Sequence, residues 1–370
     1  MKKMSKSTLV QLLWISFAAA LMLLFRLKRR DRAFMNAAAD RFAAPAGRAL
    51  SSVSYRVPWS MMELVIALAV LAVVSFLLWT GIQLYRNPSR RREILLRAVL
   101  WGLAAVLTVM AAADWLWGVA YYADGLQEKS GMYAEDVSLE DLAAVTRYAA
   151  ANLNEAAAEV PRDGDGDFAV SREEILAQAD AAYEMIAEEI PCLAYDDRPP
   201  KPVRFSKVMS HLRLTGVYFS YTGEANVNMD CPACLLPATV AHELAHQRGF
   251  ASEKECNFAA VLAATTAEDA AYRYSGWLFA YIHLGNALYA ADKAAWQEIR
   301  ESLAQEVKRD LAVNNAYWKP YRENGISEGY QNLYDGYLKN YGESDGVKSY
   351  GMVVDLLTVY YRDAARQSLS

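Results

Sequence analysis

Histidine and cysteine are both scarce in this chain, four of each in 370 residues. With cysteine only at Cys192, Cys231, Cys234 and Cys256, a four-thiolate zinc site would need every thiol at one point, which the helical placement of Cys256 argues against. Cys231-Pro-Ala-Cys234 leaves room for one local disulfide on the oxidising side of a membrane. No internal repeat and no low-complexity tract occurs. Beyond residue 123 there is no excess of positive charge: residues 1–123 carry 16 Lys and Arg against 5 Asp and Glu, a net +11, and the remaining 22 against 38 leave −16. An acidic domain of that kind argues against nucleic acid as a partner.

What the chain does have is apolar length near its start. Stretches at about 8–25, 59–82 and 94–121 each approach or exceed the roughly 20 residues that cross a bilayer as a helix. The first lacks a small-residue cleavage site and runs into Arg26-Leu-Lys-Arg-Arg30, so it reads as an uncleaved span rather than a signal peptide. The loop with Arg86, Arg90, Arg91, Arg92 and Arg97 belongs in the cytoplasm by the positive-inside rule, which puts 124–370 outside. The basic segment Arg26–Arg32 then falls on the wrong side. Ala33–Ser60 reads as an amphipathic stretch on the outer surface, broken by Pro45, Gly47 and Pro58.

In the acidic domain, 138–160 and 171–190 are expected to be helices, capped by Ser138 and by Ser171 with Glu174. Val203–Met209, Gly216–Thr222 and Ala225–Asn228 alternate enough to be short strands. From Glu253 onward the pattern is helical, with turns near Gly276, Asp292, Asn314, Gly325 and Gly342. Mainly α, in an α+β arrangement with a small strand pair beside one key helix, is therefore the expected class.

That helix carries His242-Glu243-Leu-Ala-His246. Residues i and i+4 share a helix face, so both imidazoles can reach one metal ion, with Glu243 beside them as a base for metal-bound water. Pro237 suits its first turn and Gly249 its C-terminal end. Ser252 is the expected N-cap of a second helix, with Glu255 as its capping-box partner. A catalytic zinc keeps three protein ligands and an open position. Glu253, followed four residues later by Asn257, is similar to the glutamate-zincin pattern, in which the later residue bonds a ligating His. Glu255 is the competing third ligand, and would have Ala259 at that place.

Three smaller features stand apart. Asp163, Asp165, Asp167, Ser171 and Glu174 have the spacing of a calcium loop, but Phe168 occupies the position that needs Gly, so a solvated acidic turn is the better reading. His211 and His283 lack partner motifs; one of them, or a tyrosine beyond residue 272, is a candidate oxyanion donor.

The runs Gly223–Asn228, Leu236–Phe250 and Glu253–Phe258, with Tyr337-Leu-Lys-Asn-Tyr-Gly and Gly346–Leu357, resemble the bacterial domain-of-unknown-function family 3810. Cys256 stands where that pattern usually has Ala. The resemblance implies a zincin-like domain tethered to the bacterial plasma membrane by three transmembrane helices. Its expected activity is that of a zinc metallopeptidase, with zinc on His242, His246 and Glu253 and peptide or protein substrates at the outer membrane face. A zinc amidase of cell-envelope substrates would use the same ligands, and a non-catalytic membrane scaffold or sensor would retain zinc without turnover.

Overall fold

The computed structural model describes residues 5–322, 325–341 and 351–368. They fall into two units: Met1–Ala123 with Phe219–Gly223, and Asp124–Tyr218 with Glu224–Ser370.

In the first unit, three helices are long and apolar enough to cross a membrane: α1 (Lys6–Lys28), α2 (Met61–Arg86) and α3 (Arg91–Leu116). Ser5 and Ser60 cap α1 and α2 by accepting the amides of Thr8 and Glu63. The bonds Gln11 Nε2 to Arg97 O (3.0 Å), Trp14 Nε1 to Thr108 Oγ1 (2.8 Å), Trp115 Nε1 to Leu21 O (3.2 Å) and Arg29 to Tyr122 Oη (3.3 Å) rise together in residue number. So α1 and α3 run parallel, and Arg26–Arg30 emerge at the same end as Tyr122. The stretch expected to be broken by Pro45 is helical through Arg32–Ala38 and Ala44–Ser54. A wide π-turn at Ala39–Ala43 joins the two, and Pro45 sits in the first turn after it, where its missing N–H is tolerated.

The second unit is built on α4 (Leu139–Glu159), α5 (Leu236–Gln247), α6 (Glu253–Thr266), α7 (Ala270–Ala291), α8 (Lys293–Ser302), α9 (Gln305–Arg322), α10 (Gly325–Asn340) and α11 (Gly351–Ser368). At its centre lies α6: Phe258 and every residue from Ala259 to Ala264 are buried, because α5, α7 and α11 all pack on it. Small side chains let those neighbours approach. Gly276 is therefore interior to α7 and not a turn: a Cβ there would lie 2.8 Å from both Ala264 Cβ and Thr265 N. Asn314 is likewise inside α9, and the break falls instead between α8 and α9. The turn expected near Gly342 and the tail run from Gly346 to Tyr350 lie outside the described residues. Gly276→Ala pits a helix-propensity gain of about 1 kcal/mol against overpacking of about 1–3 kcal/mol. The clash is with backbone, which cannot swing away, so a net loss of thermal stability is expected in a melt of the full chain in detergent.

The expected helix 171–190 is three pieces: Arg172–Ala177, a 3₁₀ turn Asp180–Tyr183 and Glu184–Glu189. Its buried stripe Ile175, Ala179, Tyr183, Ile186, Ile190 keeps helical spacing. The tight middle turn coincides with Tyr183 donating to Ala241 O at 2.8 Å.

In place of a strand pair there is a three-stranded sheet of β1 (Lys201–Val203), β2 (Gly216–Phe219) and β3 (Glu224–Asn228), in the order β1-β3-β2. β1 lies parallel to β3, with Lys201 opposite Asn226. Val203–Met209 is not a strand: after Val203 the chain turns into a helix, Ser206–Leu212. Burial at Ser206, Met209 and Ser210 has helical spacing, and the apolar Phe205 and Val208 that suggested alternation are exposed. The fold is thus mainly helical with a small sheet.

All four cysteines are free thiols, so the Cys231–Cys234 disulfide does not form. Cys234 is turned into the apolar core while Cys231 faces Tyr317, and burial pushes both thiols up to about 12.

Candidate metal centre

Pro237 occupies the first turn of α5, and the free amide of Ala238 is satisfied by Ser275 Oγ of α7 at 3.0 Å. After Arg248, Gly249 takes the left-handed conformation (φ 88°) and the chain turns into α6. This tight connection sets the first residue of α6, Glu253, against the His242/His246 face of α5.

The imidazole rings lie 4.8 Å apart at 85°. Glu253 Oε2 is 3.2 Å from His242 Nε2, and Oε1 is 3.8 Å from His246 Nε2. All three ligand atoms lie within 4.8 Å of one another, and together they can hold a metal ion. His246 Nδ1 is 2.8 Å from Phe250 O. A carbonyl only accepts, so Nδ1 carries the proton and Nε2 presents its lone pair to the centre. Cys256 does not join the donors; its Sγ lies 3.3 Å from His246 Nδ1, on the far side of the ring from Nε2.

Glu255 is elsewhere. Its carboxylate accepts the amides of Leu126 (2.8 Å) and Gln127 (3.1 Å), capping the short helix Leu126–Ser130. It therefore forms no capping box with Ser252, which caps α6 without a side-chain bond. Between the two candidate carboxylates, the structure brings Glu253 to the histidines.

Burial opposes charge on His242, but Glu253, Glu243 and Asn257 outweigh it, and its pKa is raised. His246 is pulled down to about 4 by burial, with Glu253 opposing. Burial works against the Glu253 carboxylate too, yet His242, His246 and a bond from Tyr334 hold it down to about 2. Glu243 goes the other way: burial, with the Glu253 charge, pushes it up to about 8, partly offset by His242. Its Oε2 is buried with no hydrogen-bond partner among the described residues. Gly216, the first residue of β2, lies so close that a Cβ there would stand 2.4 Å from Glu243 Oε1.

Two features here carried no sequence signal beyond composition. Tyr334 of α10 donates to Glu253 Oε1 at 2.6 Å, between Tyr330 and Tyr337, whose rings stack on it. Tyr334→Phe removes the bond that orients this carboxylate, and divalent-metal affinity should fall about 10- to 100-fold in a competition titration with a chromophoric chelator. His283 of α7 stands against Phe279 (4.5 Å between rings), near enough for the His242 charge to reinforce the effect of burial, which lowers it to about 4. His211 is exposed and packs edge-on against Tyr321.

The acidic turn is used locally. Asp163 accepts the amides of Asp165 and Asp167, Asp167 pairs with Arg309 at 2.7 Å, and Glu174 closes a capping box with Ser171. Among the described residues, no calcium-type group of three or more donors forms there.

Fold and site together define a mainly helical protein with three potential membrane-crossing helices and a His-His-Glu group able to hold a metal ion. The chain belongs to the family described as Protein of unknown function (DUF3810), which matches residues 42–358, as its motifs implied. Comparison with curated proteins gives no match, nor does comparison with solved structures.

Proposed function

We propose that this protein is a zinc-dependent metallopeptidase with a zincin-like domain, anchored in the bacterial plasma membrane with its acidic domain outside. The observation that carries the reading is the convergence of His242, His246 and Glu253 beside Glu243, whose buried Oε2 has no hydrogen-bond partner among the described residues. Two imidazole nitrogens and one carboxylate oxygen are a donor set that suits zinc, and the Phe250 carbonyl fixes the tautomer that His246 needs. Zinc held there would acidify a water and polarise a scissile carbonyl.

Glu243 takes the proton of the attacking water and returns it to the leaving amine. Tyr334 steadies Glu253, and Asn257 is the residue that would bond His242, whose buried Nδ1 has no hydrogen-bond partner among the described residues. β2 is an edge strand whose first residue touches Glu243, so an extended peptide paired along that edge would pass beside the base. Because the single hydroxyl proton of Tyr334 is committed to Glu253, His283 is the nearby candidate to donate to the developing oxyanion.

The test uses the full chain purified in detergent. It should carry about one zinc and cleave an unfolded peptide mixture, lose both properties to a chelator, and regain both on adding zinc. Zinc without peptide cleavage, accompanied by amide release from envelope extracts, would replace the peptidase reading with an amidase; no turnover on either would leave a sensor.

A further inference from the structure

Gly216 opens β2, whose other residues, Val217, Tyr218 and Phe219, are the β-branched and aromatic types that a pleated backbone favours. Glycine in a strand loses more backbone entropy than any other residue and gives the sheet no side chain to pack, so its presence calls for a reason. Conformation is not that reason. The described glycines with positive φ are Gly131, Gly166, Gly223 and Gly249; Gly216 is not among them, and its extended backbone is open to any residue.

Space is the reason. A Cβ at this position would stand 2.4 Å from Glu243 Oε1, 2.6 Å from its Cγ and 2.7 Å from its Cδ. The three nearest atoms all belong to that one side chain. Because Cγ is among them, turning the carboxylate about its last bond would not clear the clash. The whole side chain would have to leave its place.

Neither backbone is free to yield instead. On α5, Val240, Ala241, Leu244 and Ala245 around Glu243 are all fully buried. β2 is tied to β3 on both sides of Gly216, by Asn228 N to Thr215 O (2.8 Å) and by Asn226 Nδ2 to Val217 O (3.4 Å). β3 is itself buried along its whole length and packs on α5. The small sheet and the metal-site helix are therefore already in contact, and Glu243 fills the gap that the missing Cβ leaves. With no hydrogen-bond partner for its Oε2 among the described residues, this carboxylate is located by packing against the strand.

We infer that Gly216 is a positioning residue for the base: by carrying no Cβ it leaves the space that Glu243 occupies beside the His-His-Glu group, and any side chain there drives the carboxylate out. The inference rests on the reading of Glu243 as general base and goes beyond it by naming what fixes the base in place.

The test is Gly216→Ala in the full chain purified in detergent. Zinc content should match wild type, because Glu243 is not among the three donors. The kcat for peptide hydrolysis should fall about 10²- to 10⁴-fold, the share that general-base catalysis contributes. Beside Glu243→Gln, where the base is already lost, the same alanine should add less than about a threefold further loss, since residues acting as one unit do not multiply their effects. Melting reads the contact without activity. Gly216→Ala should lower the midpoint by about 5 °C through overpacking, and should not lower it beside Glu243→Ala, which vacates the space. Full cleavage by Gly216→Ala, a multiplied rate loss beside Glu243→Gln, or an equal melting loss beside Glu243→Ala would each overturn the assignment. Failure of the peptidase reading looks different: Glu243→Gln cleaves at the wild-type rate, or wild type does not cleave at all. The melting cycle alone then decides whether Gly216 places Glu243.

Discussion

Glu243→Gln is expected to lower kcat/KM for peptide hydrolysis by about 10²- to 10⁴-fold while the protein keeps its zinc, since general-base catalysis contributes about that much. At about 1.36 kcal/mol per factor of ten this is about 3–5 kcal/mol of transition-state stabilisation. The substitution isolates the chemistry because the side chain keeps its length against Gly216 and is not a ligand. It also avoids a large stability effect. Burial already biases Glu243 toward its neutral form, up to about 8 in the metal-free chain, so a neutral amide in the same pocket is close to what the fold accepts. The sign of the pH dependence follows. The base must be deprotonated to act, so activity rises as pH passes its pKa. A divalent cation at the neighbouring donors favours the carboxylate and moves that limb below pH 8. The rising limb should disappear from the Gln variant's profile. Cleavage at the wild-type rate by a zinc-loaded variant would remove Glu243 from the mechanism.

The parts of the site that were legible from residues alone are those fixed by local geometry. His242 and His246 share a face because any α-helix places i and i+4 together, and Pro237 and Gly249 bound that helix through backbone preferences acting within one turn. The three apolar runs are legible for the same reason, since length and composition suffice. What was not legible depends on partners far away in the chain. Glu255 has a helix cap's position, but its actual partners are amides 129 and 128 residues earlier. Gly276 looks like a helix breaker, and is instead the small residue that lets α7 approach α6. Phe205 and Val208 imitate a strand because exposed apolar residues carry no label distinguishing them from buried ones. Tyr334 is one of 23 tyrosines, and nothing local marks it as the one that reaches Glu253.

Arg248 belongs to this second group, and its truncation carries the largest expected effect on stability. It lies two residues beyond His246, with its side chain 1% exposed. The guanidinium grips both oxygens of Asp197, at 2.6 and 2.5 Å, donates to Leu193 O and Leu244 O, and lies 3.5 Å over the Tyr183 ring. It thereby ties the end of α5 to the segment between Tyr183 and Asp197. Asp197 is itself 5% exposed, and burial raises its pKa against the pull of Arg248. Removing the cation leaves a buried carboxylate with no counter-charge, so Arg248→Ala should cost about 3–5 kcal/mol, comparable to the whole stability of many domains. Asp197→Ala should cost a similar amount by stranding the guanidinium. The decisive comparison is the double variant Arg248→Met with Asp197→Leu, because exchanging a buried ion pair for well-packed apolar groups is often neutral or stabilising. Melting of the full chain in detergent should rank the double variant well above either single one. If instead Asp197→Ala melts near wild type while the double variant melts no higher than Arg248→Ala, the guanidinium acts through its bonds to Leu193 and Leu244 rather than through charge. Zinc content measured on the double variant then reports whether the end of α5, and with it His246, still faces Glu253.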